Sequence, residues 1–222
     1  AEDAEAYAKN SLLVRTSSLG YEDIPTVEVQ STTTIKIGDV NYYVLANDGE
    51  KALLWAKNSV GSYSMRGSDN SSIDWNNSNV RNELNSTWLN NQPNILKENI
   101  IETQIYYSDI SAKTVQSTYD KVFLLSIEDI NGLTGEYAAN DQRLLTMGEK
   151  IANLSKLTGD STLLRHSNTA GTVYVLSGTS VDWIAGYSSN ARPAFWVYLP
   201  GKKPVVDNEG TDTEEASEVS IS

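Results

Sequence analysis

The residues in this chain that could do chemistry are few in kind and scattered in position. His166 is the only histidine, so any Ser-His-Asp set would have to be built on it. No Gly-x-Ser-x-Gly turn exists to carry the serine, because Gly61-Ser62-Tyr63-Ser64 does not fit that pattern. A lone His beside Arg165 reads as structural or solvated rather than as a base. A glycosidase needs two carboxylates about 5–10 Å apart across a cleft. Asp74, Glu136, Asp160 and Asp182 are available, but nothing in their spacing selects a pair. Gly132-Leu133-Thr134-Gly135-Glu136 lacks the lysine and the glycine spacing of a phosphate loop, and reads as a turn. There is no cysteine, which excludes disulfides, zinc–thiolate sites and thiol catalysis. No catalytic residue, metal site or cofactor is assigned.

Binding chemistry is better represented. Saccharide sites stack sugar faces on Trp or Tyr, ringed by Asn, Asp and Arg donors and acceptors. Asp182-Trp183-Ile184-Ala185-Gly186-Tyr187-Ser188-Ser189-Asn190 has that composition, and makes Asp182, Trp183, Tyr187 and Asn190 candidate ligand contacts. Trp183 has a second reading, as a plug of the core. Tyr63, Arg66 and Trp75 form another aromatic and polar group. Arg165 divides evenly between ligand contact and structural tie. A guanidinium presents five donors in a planar fork, suited to binding loop carbonyls together, and this is the reading of Arg81 and Arg192.

These residues must be positioned by a mixed set of elements. Ile35 to Ala56 reads as a β-meander with turns at Gly38-Asp39 and Asn47-Asp48-Gly49. Residues 58–74 read as a loop. Ser78 is placed to cap a helix that carries Val80, Leu84 and Trp88 on one face, and Pro93 can open a second helix. Ile101–Tyr107 is strand-like. Lys121–Ser126 reads as a short apolar strand, with Ser126 and Asp129 signalling a helical turn after it. A helix is expected around Gln142–Leu157. Gly171–Leu176, Val181–Ile184 and Arg192–Leu199 read as three strands of a second meander. The last of these is apolar on both faces and is expected inside a sheet rather than at its edge. Trp88, Phe195 and Trp196 are assigned to the core.

The formal charge of −12 is carried mostly by the ends. Six acids face two bases over residues 1–30, and again over 201–222, leaving seventeen acids against thirteen bases between them. No Lys/Arg cluster offers itself to phosphates, so nucleic acid is not an expected partner. No apolar run of about 18 residues exists to span a membrane. Residues 1–30 are expected to be a partly helical leader or linker, 31–200 a single domain, and 201–222 an acidic disordered tail or linker. The start at Ala1 suggests a processed product whose signal peptide has been removed.

Several segments together resemble one family. They are Trp75-Asn76-x-Ser78 with Val80-Arg81-x-x-Leu84-Asn85 and Trp88-Leu89, Asp120–Ser126, Leu164-Arg165, and Ala191-Arg192-Pro193-Ala194-Phe195-Trp196. The resemblance is to an uncharacterised domain family of exported and surface proteins from gut Firmicutes. It extends to the C-type-lectin-like fold also used by sulfatase-modifying proteins. It implies an α+β domain of twisted antiparallel sheets with two main helices and long loops, at the cell surface or outside the cell. The cysteine pair of formylglycine-generating enzymes is missing. Gln92-Pro93-Asn94 and Trp75-Asn76-Asn77 look like the calcium motifs of sugar-binding lectins, but in reversed order and with Asn77 where a carboxylate belongs. The expected function is a non-enzymatic ligand-binding or adhesion module of a longer surface protein, taking a glycan or a surface protein. The alternatives are a structural or protein-interaction domain, and then a carboxylate-based hydrolase.

Overall fold

The structure, a computed structural model, describes residues 18–67, 73–109, 114–133, 141–166 and 172–205. The first meander forms as expected. β1 (Thr34–Ile37), β2 (Val40–Asn47) and β3 (Lys51–Ala56) pair antiparallel in sequence. Gly38 turns β1 into β2 at φ 61°, in the left-handed region. A Cβ there would also sit 3.0 Å from the Pro93 ring. The β2–β3 turn is held by side chains, with Asn47 accepting from the Gly49 amide and Asp48 from those of Glu50 and Lys51.

The loop over 58–74 contains a strand that was not expected, β4 (Ser62–Ser64). Three alternating small and polar residues carry too little pattern to announce it. Ser78 then caps α1 (Asn79–Glu83) by accepting from the Arg81 amide. The helix continues through a π-helical stretch, Leu84–Trp88. Val80, Leu84 and Trp88 are buried, as their spacing predicts. Pro93 opens α2 (Asn94–Asn99). β5 (Thr103–Asp109) and β6 (Thr114–Asp120) form a two-stranded hairpin. β6 was missed because its inward positions, Thr118 and Asp120, are polar.

Lys121–Ser126 corrects the expectation of a strand. Val122 to Leu125 are buried, but only Phe123 pairs, through an isolated bridge to Ala194. Ser126 and Asp129 then form the expected reciprocal cap at the start of α3 (Ile127–Asn131). The helix expected over 142–157 is replaced by two 3₁₀ turns, Gln142–Leu144 and Leu154–Lys156. Asp129 is the reason. Its carboxylate takes the Thr146 amide and its carbonyl takes the Ile151 amide, donors a continuous helix would use internally.

β7 (Thr162–Leu163), β8 (Thr172–Ser177) and β9 (Ser180–Ala185) make a three-stranded sheet. The second meander stops there. β10 (Ser188–Asn190) leaves to pair with β4, and β11 (Ala194–Tyr198) pairs with β3. β11 is the outermost strand of its four-stranded sheet, not an interior one. It is nonetheless covered. Phe123 exchanges both backbone hydrogen bonds with Ala194, and the Ile101 amide donates to Trp196 O. Two irregular segments thus do the work of a neighbouring strand.

The core joins this sheet to the helices. Tyr42 meets Phe195 edge-on at 5.2 Å, and burial pushes the Tyr42 phenol pKa up. Trp88 is buried as assigned, while Trp196 is only half-buried. Arg192 lies 3.4 Å above the Trp55 ring and donates to Ala56 O, which bears out its structural reading. Burial lowers its pKa to about 10, so it stays charged at neutral pH. Gly159 makes room for this packing, since a Cβ there would fall 1.8 Å from Lys57 O. Tyr21 and Ile24, in the stretch read as leader, are buried, and the Tyr21 hydroxyl donates to Tyr198 O. Residues 1–17 of the expected leader and most of the acidic tail lie outside the described residues. Within them, no helix is long and apolar enough to cross a membrane. The architecture is a mixed α+β fold.

Candidate ligand-binding site

Arg165 and Trp75 do not belong to a ligand surface. Arg165 is 1% exposed, and its guanidinium is consumed by the protein. Nε donates to Tyr106 O, Nη2 to Leu144 O, and Nη1 to Leu124 O and Thr146 Oγ1, with Asp129 Oδ2 at 3.3 Å. It therefore ties β5, the 121–126 segment, the first 3₁₀ turn and α3 together. Burial lowers its pKa, while the Asp129 and Glu128 charges oppose that shift.

The neighbouring pair repeats the arrangement. His166 Nε2 lies 2.8 Å from Glu128 Oε2, with both side chains fully buried. The Ile127 amide donates to His166 Nδ1, which puts the ring proton on Nε2, toward Glu128. The approach is close, although the alignment of Nε2 with the carboxylate is short of a well-formed hydrogen bond. Burial works to raise the Glu128 pKa, yet His166 offsets it and holds the carboxyl below its usual range. Two adjacent acids on α3 thus meet two adjacent bases, out of reach of solvent.

Trp75 is fully buried and donates through Nε1 to Asp120 Oδ2. The same carboxylate accepts from Thr118 Oγ1 at 2.5 Å and from Arg81 Nε at 2.6 Å. Arg81 Nη1 reaches Asn76 O, so Arg81 is a structural tie, as its sequence context suggests. Trp75 fixes the joint between α1 and the β5–β6 hairpin and offers no face to a ligand.

The other predicted residues are placed differently. Asp182, Trp183 and Asn190 are exposed and Tyr187 is half-buried. Trp183 is 62% exposed on β9, which rules out its reading as a core plug. It stands opposite Tyr174 of β8, and β9 is the outer strand of that sheet. Past the Gly186 turn, β10 runs antiparallel to β4, with Ser189 opposite Tyr63 and Asn190 opposite Ser62. This pairing joins two aromatic and polar groups that lie far apart in sequence. The Arg66 guanidinium sits 3.9 Å over the Tyr187 ring and donates from Nη2 to the Tyr187 hydroxyl at 3.1 Å. The Met65 amide donates to Tyr187 O, which fixes the stack on the backbone. Arg66 Nε is buried with no partner among the described residues.

Arg66 and Tyr63 are the residues sequence reasoning set aside by grouping them with Trp75. The missing signal was the three-residue β4, without which their link to Tyr187 cannot be drawn. Three of the four carboxylates considered for hydrolysis fall among the described residues, each in its own surroundings. Asp74 accepts from Asn77, Asp160 accepts from the Ser59 amide, Asp182 is exposed on β9, and Glu136 lies outside the described residues. Gln92 of the lectin-like motif donates to Trp88 O and so closes its own turn. Among the described residues no group of three His, Asp or Glu side chains is placed to hold a metal ion.

What remains is an α+β domain with a solvent-facing ribbon of aromatic and hydrogen-bonding side chains. The chain belongs to the family described as Domain of unknown function (DUF6273), whose model matches residues 49–199. That span holds β4, β9 and β10 and every residue of the ribbon. No curated protein and no solved structure matches the chain.

Proposed function

We propose that this chain is a non-enzymatic, extracellular ligand-binding or adhesion module of a longer bacterial surface protein, with a C-type-lectin-like fold. Its ligand is a glycan, held on Trp183, Asp182, Tyr187, Asn190 and Arg66. The observation that carries this reading is the 62% exposure of Trp183. A Trp left in water on an outer strand contributes little to folding, but presents a flat apolar face of the kind on which sugar rings stack. Arg66, stacked on the Tyr187 ring and bonded to its hydroxyl, holds that ring in place beside β9.

A glycan-array screen of the chain, with and without calcium, tests this. The expected result is a specific hit that Trp183→Ala weakens by about tenfold, the cost of one aromatic contact, with no change in melting temperature. A hit indifferent to Trp183→Ala would remove the site. Loss of the hit on chelation would show that a metal had been overlooked. A clean negative would favour the second reading, a protein-interaction domain without a small ligand. That reading draws on the same strand, since β9 presents an outer sheet edge to which an extended partner segment can add.

A further inference from the structure

A well-formed groove elsewhere in the described structure shares no residue with the ribbon. It is open, has a volume of about 540 Å³, and runs between the α1 and π-helical segment and the β5–β6 hairpin. That volume lies within the roughly 300–1,000 Å³ typical of small-molecule sites. Asn82, Ser86 and Asn90 line the helical wall, while Glu102, Tyr119 and Lys121 line the other. The floor is the joint already described, in which Trp75, Thr118 and Arg81 all bond Asp120. The floor is therefore rigid, and most of the rim is unspent, Ser86 being the exception because its hydroxyl donates to Asn82 O. The side chains of Asn82, Glu102, Tyr119 and Lys121 make no hydrogen bond within the described residues. Tyr119 is 63% exposed, the most exposed ring among the large hydrophobic side chains of the described residues. Nothing in the packing of β6 requires an aromatic residue there.

The charges select the ligand. Arg81 is paired with Asp120 at 2.6 Å, and the one other base lining the groove, Lys121, is matched in number by one other acid, Glu102, so the lining carries no net formal charge. What it offers is amide, hydroxyl and carboxylate groups of both hydrogen-bonding senses around one exposed aromatic face. The helical wall is π-helical at Ser86, a local irregularity that recurs at functional sites. We infer that this groove is a second binding site, taking a neutral oligosaccharide whose ring stacks on Tyr119 while its hydroxyls bond Asn82 and Glu102.

The test is amide chemical-shift mapping on the full chain with maltotriose, cellotriose and chitotriose, and with trigalacturonic acid as the charged comparator. At least one neutral trisaccharide, at up to roughly 10 mM, is expected to shift Asn82, Ser86, Asn90 and Tyr119. Tyr119→Ala should weaken that binding about tenfold with the fold intact, because the ring is mostly in solvent. Asn82→Ala, equally remote from the core, provides the independent variant. Trp183→Ala should leave groove binding unchanged. The inference is overturned if no neutral trisaccharide moves these amides, if trigalacturonic acid alone does, or if Tyr119→Ala binds as the unmodified chain does. Shifts confined to β9 and β10 would overturn the groove and leave the ribbon reading standing. Shifts confined to the groove would do the reverse.

Discussion

Two arginines, Arg165 and Arg66, are both open to a ligand-contact reading in sequence, and the structure places them oppositely. Arg165 is fully buried and spends its donors on the carbonyls of three separate segments and on the Asp129 and Thr146 side chains. Arg66 is half-buried, bonded to one phenol and stacked on its ring, with Nε buried and unpartnered among the described residues. The difference lies in which donors the protein has already used. A guanidinium whose donors are all satisfied internally is a hub of the fold, and one held by a single phenol is a local tie.

The largest break in that comparison comes at Arg165. Arg165→Met removes the hub and leaves Asp129 and four other acceptors buried without their donor. A loss of about 3–5 kcal/mol is expected, as for removing one partner of a buried ion pair. Arg66→Met should cost less than about 1 kcal/mol, the scale of a partly exposed cation–π contact. Denaturant unfolding of the two variants side by side measures both. Equal losses would mean that donor accounting does not separate the two sites.

The second prediction concerns the acid beside that hub. Glu128 has a folded pKa below its ordinary 4.5. The stability it contributes is therefore fully present above about pH 4.5 and is lost as pH falls through the lower folded value. Glu128→Gln should be less stable than the unmodified chain at neutral pH. The gap should narrow as the pH drops below 4.5, because protonation removes the same charge. Thermal melts between pH 7 and pH 3 test the sign. A gap that widens toward acid would show that burial, not His166, governs this carboxyl.

What could be read from sequence, and what could not, divides along the same line. The first meander, the Ser78 cap, the Pro93 helix start and the Ser126–Asp129 capping box are local, and their residues announce them. β6, β4 and the fate of residues 142–157 depend on distant partners. β6 turns inward on the strength of Asp120, whose acceptors are met by Trp75, Thr118 and Arg81. Residues 142–157 lose their helix to Asp129, more than ten positions upstream. The ribbon was half legible. Composition singled out the surface residues Asp182, Trp183 and Asn190 and the half-buried Tyr187, but also the buried Arg165 and Trp75, because periodicity cannot tell a buried, fully bonded Arg or Trp from an exposed one. It passed over the groove entirely, since Asn82, Glu102 and Tyr119 come from elements that meet only in three dimensions.

The smallest effect probes the ribbon from inside. Tyr187→Phe removes the hydroxyl that accepts from Arg66 Nη2 and keeps the ring under the guanidinium. Because Tyr187 is only half-buried, water can replace the lost bond, and stability should change by no more than about 0.5–1 kcal/mol. Glycan affinity should fall only a few-fold if the stacked pair mainly orients Arg66, roughly 0.5–1 kcal/mol of binding. Tyr187→Ala removes the platform as well, and should approach the effect of Trp183→Ala. Titrating the array hit against all three variants ranks them. If Tyr187→Phe equals Tyr187→Ala, the hydroxyl itself meets the ligand and Arg66 is its accessory. If neither changes affinity, the site contracts to β9 and Trp183 alone carries the stacking.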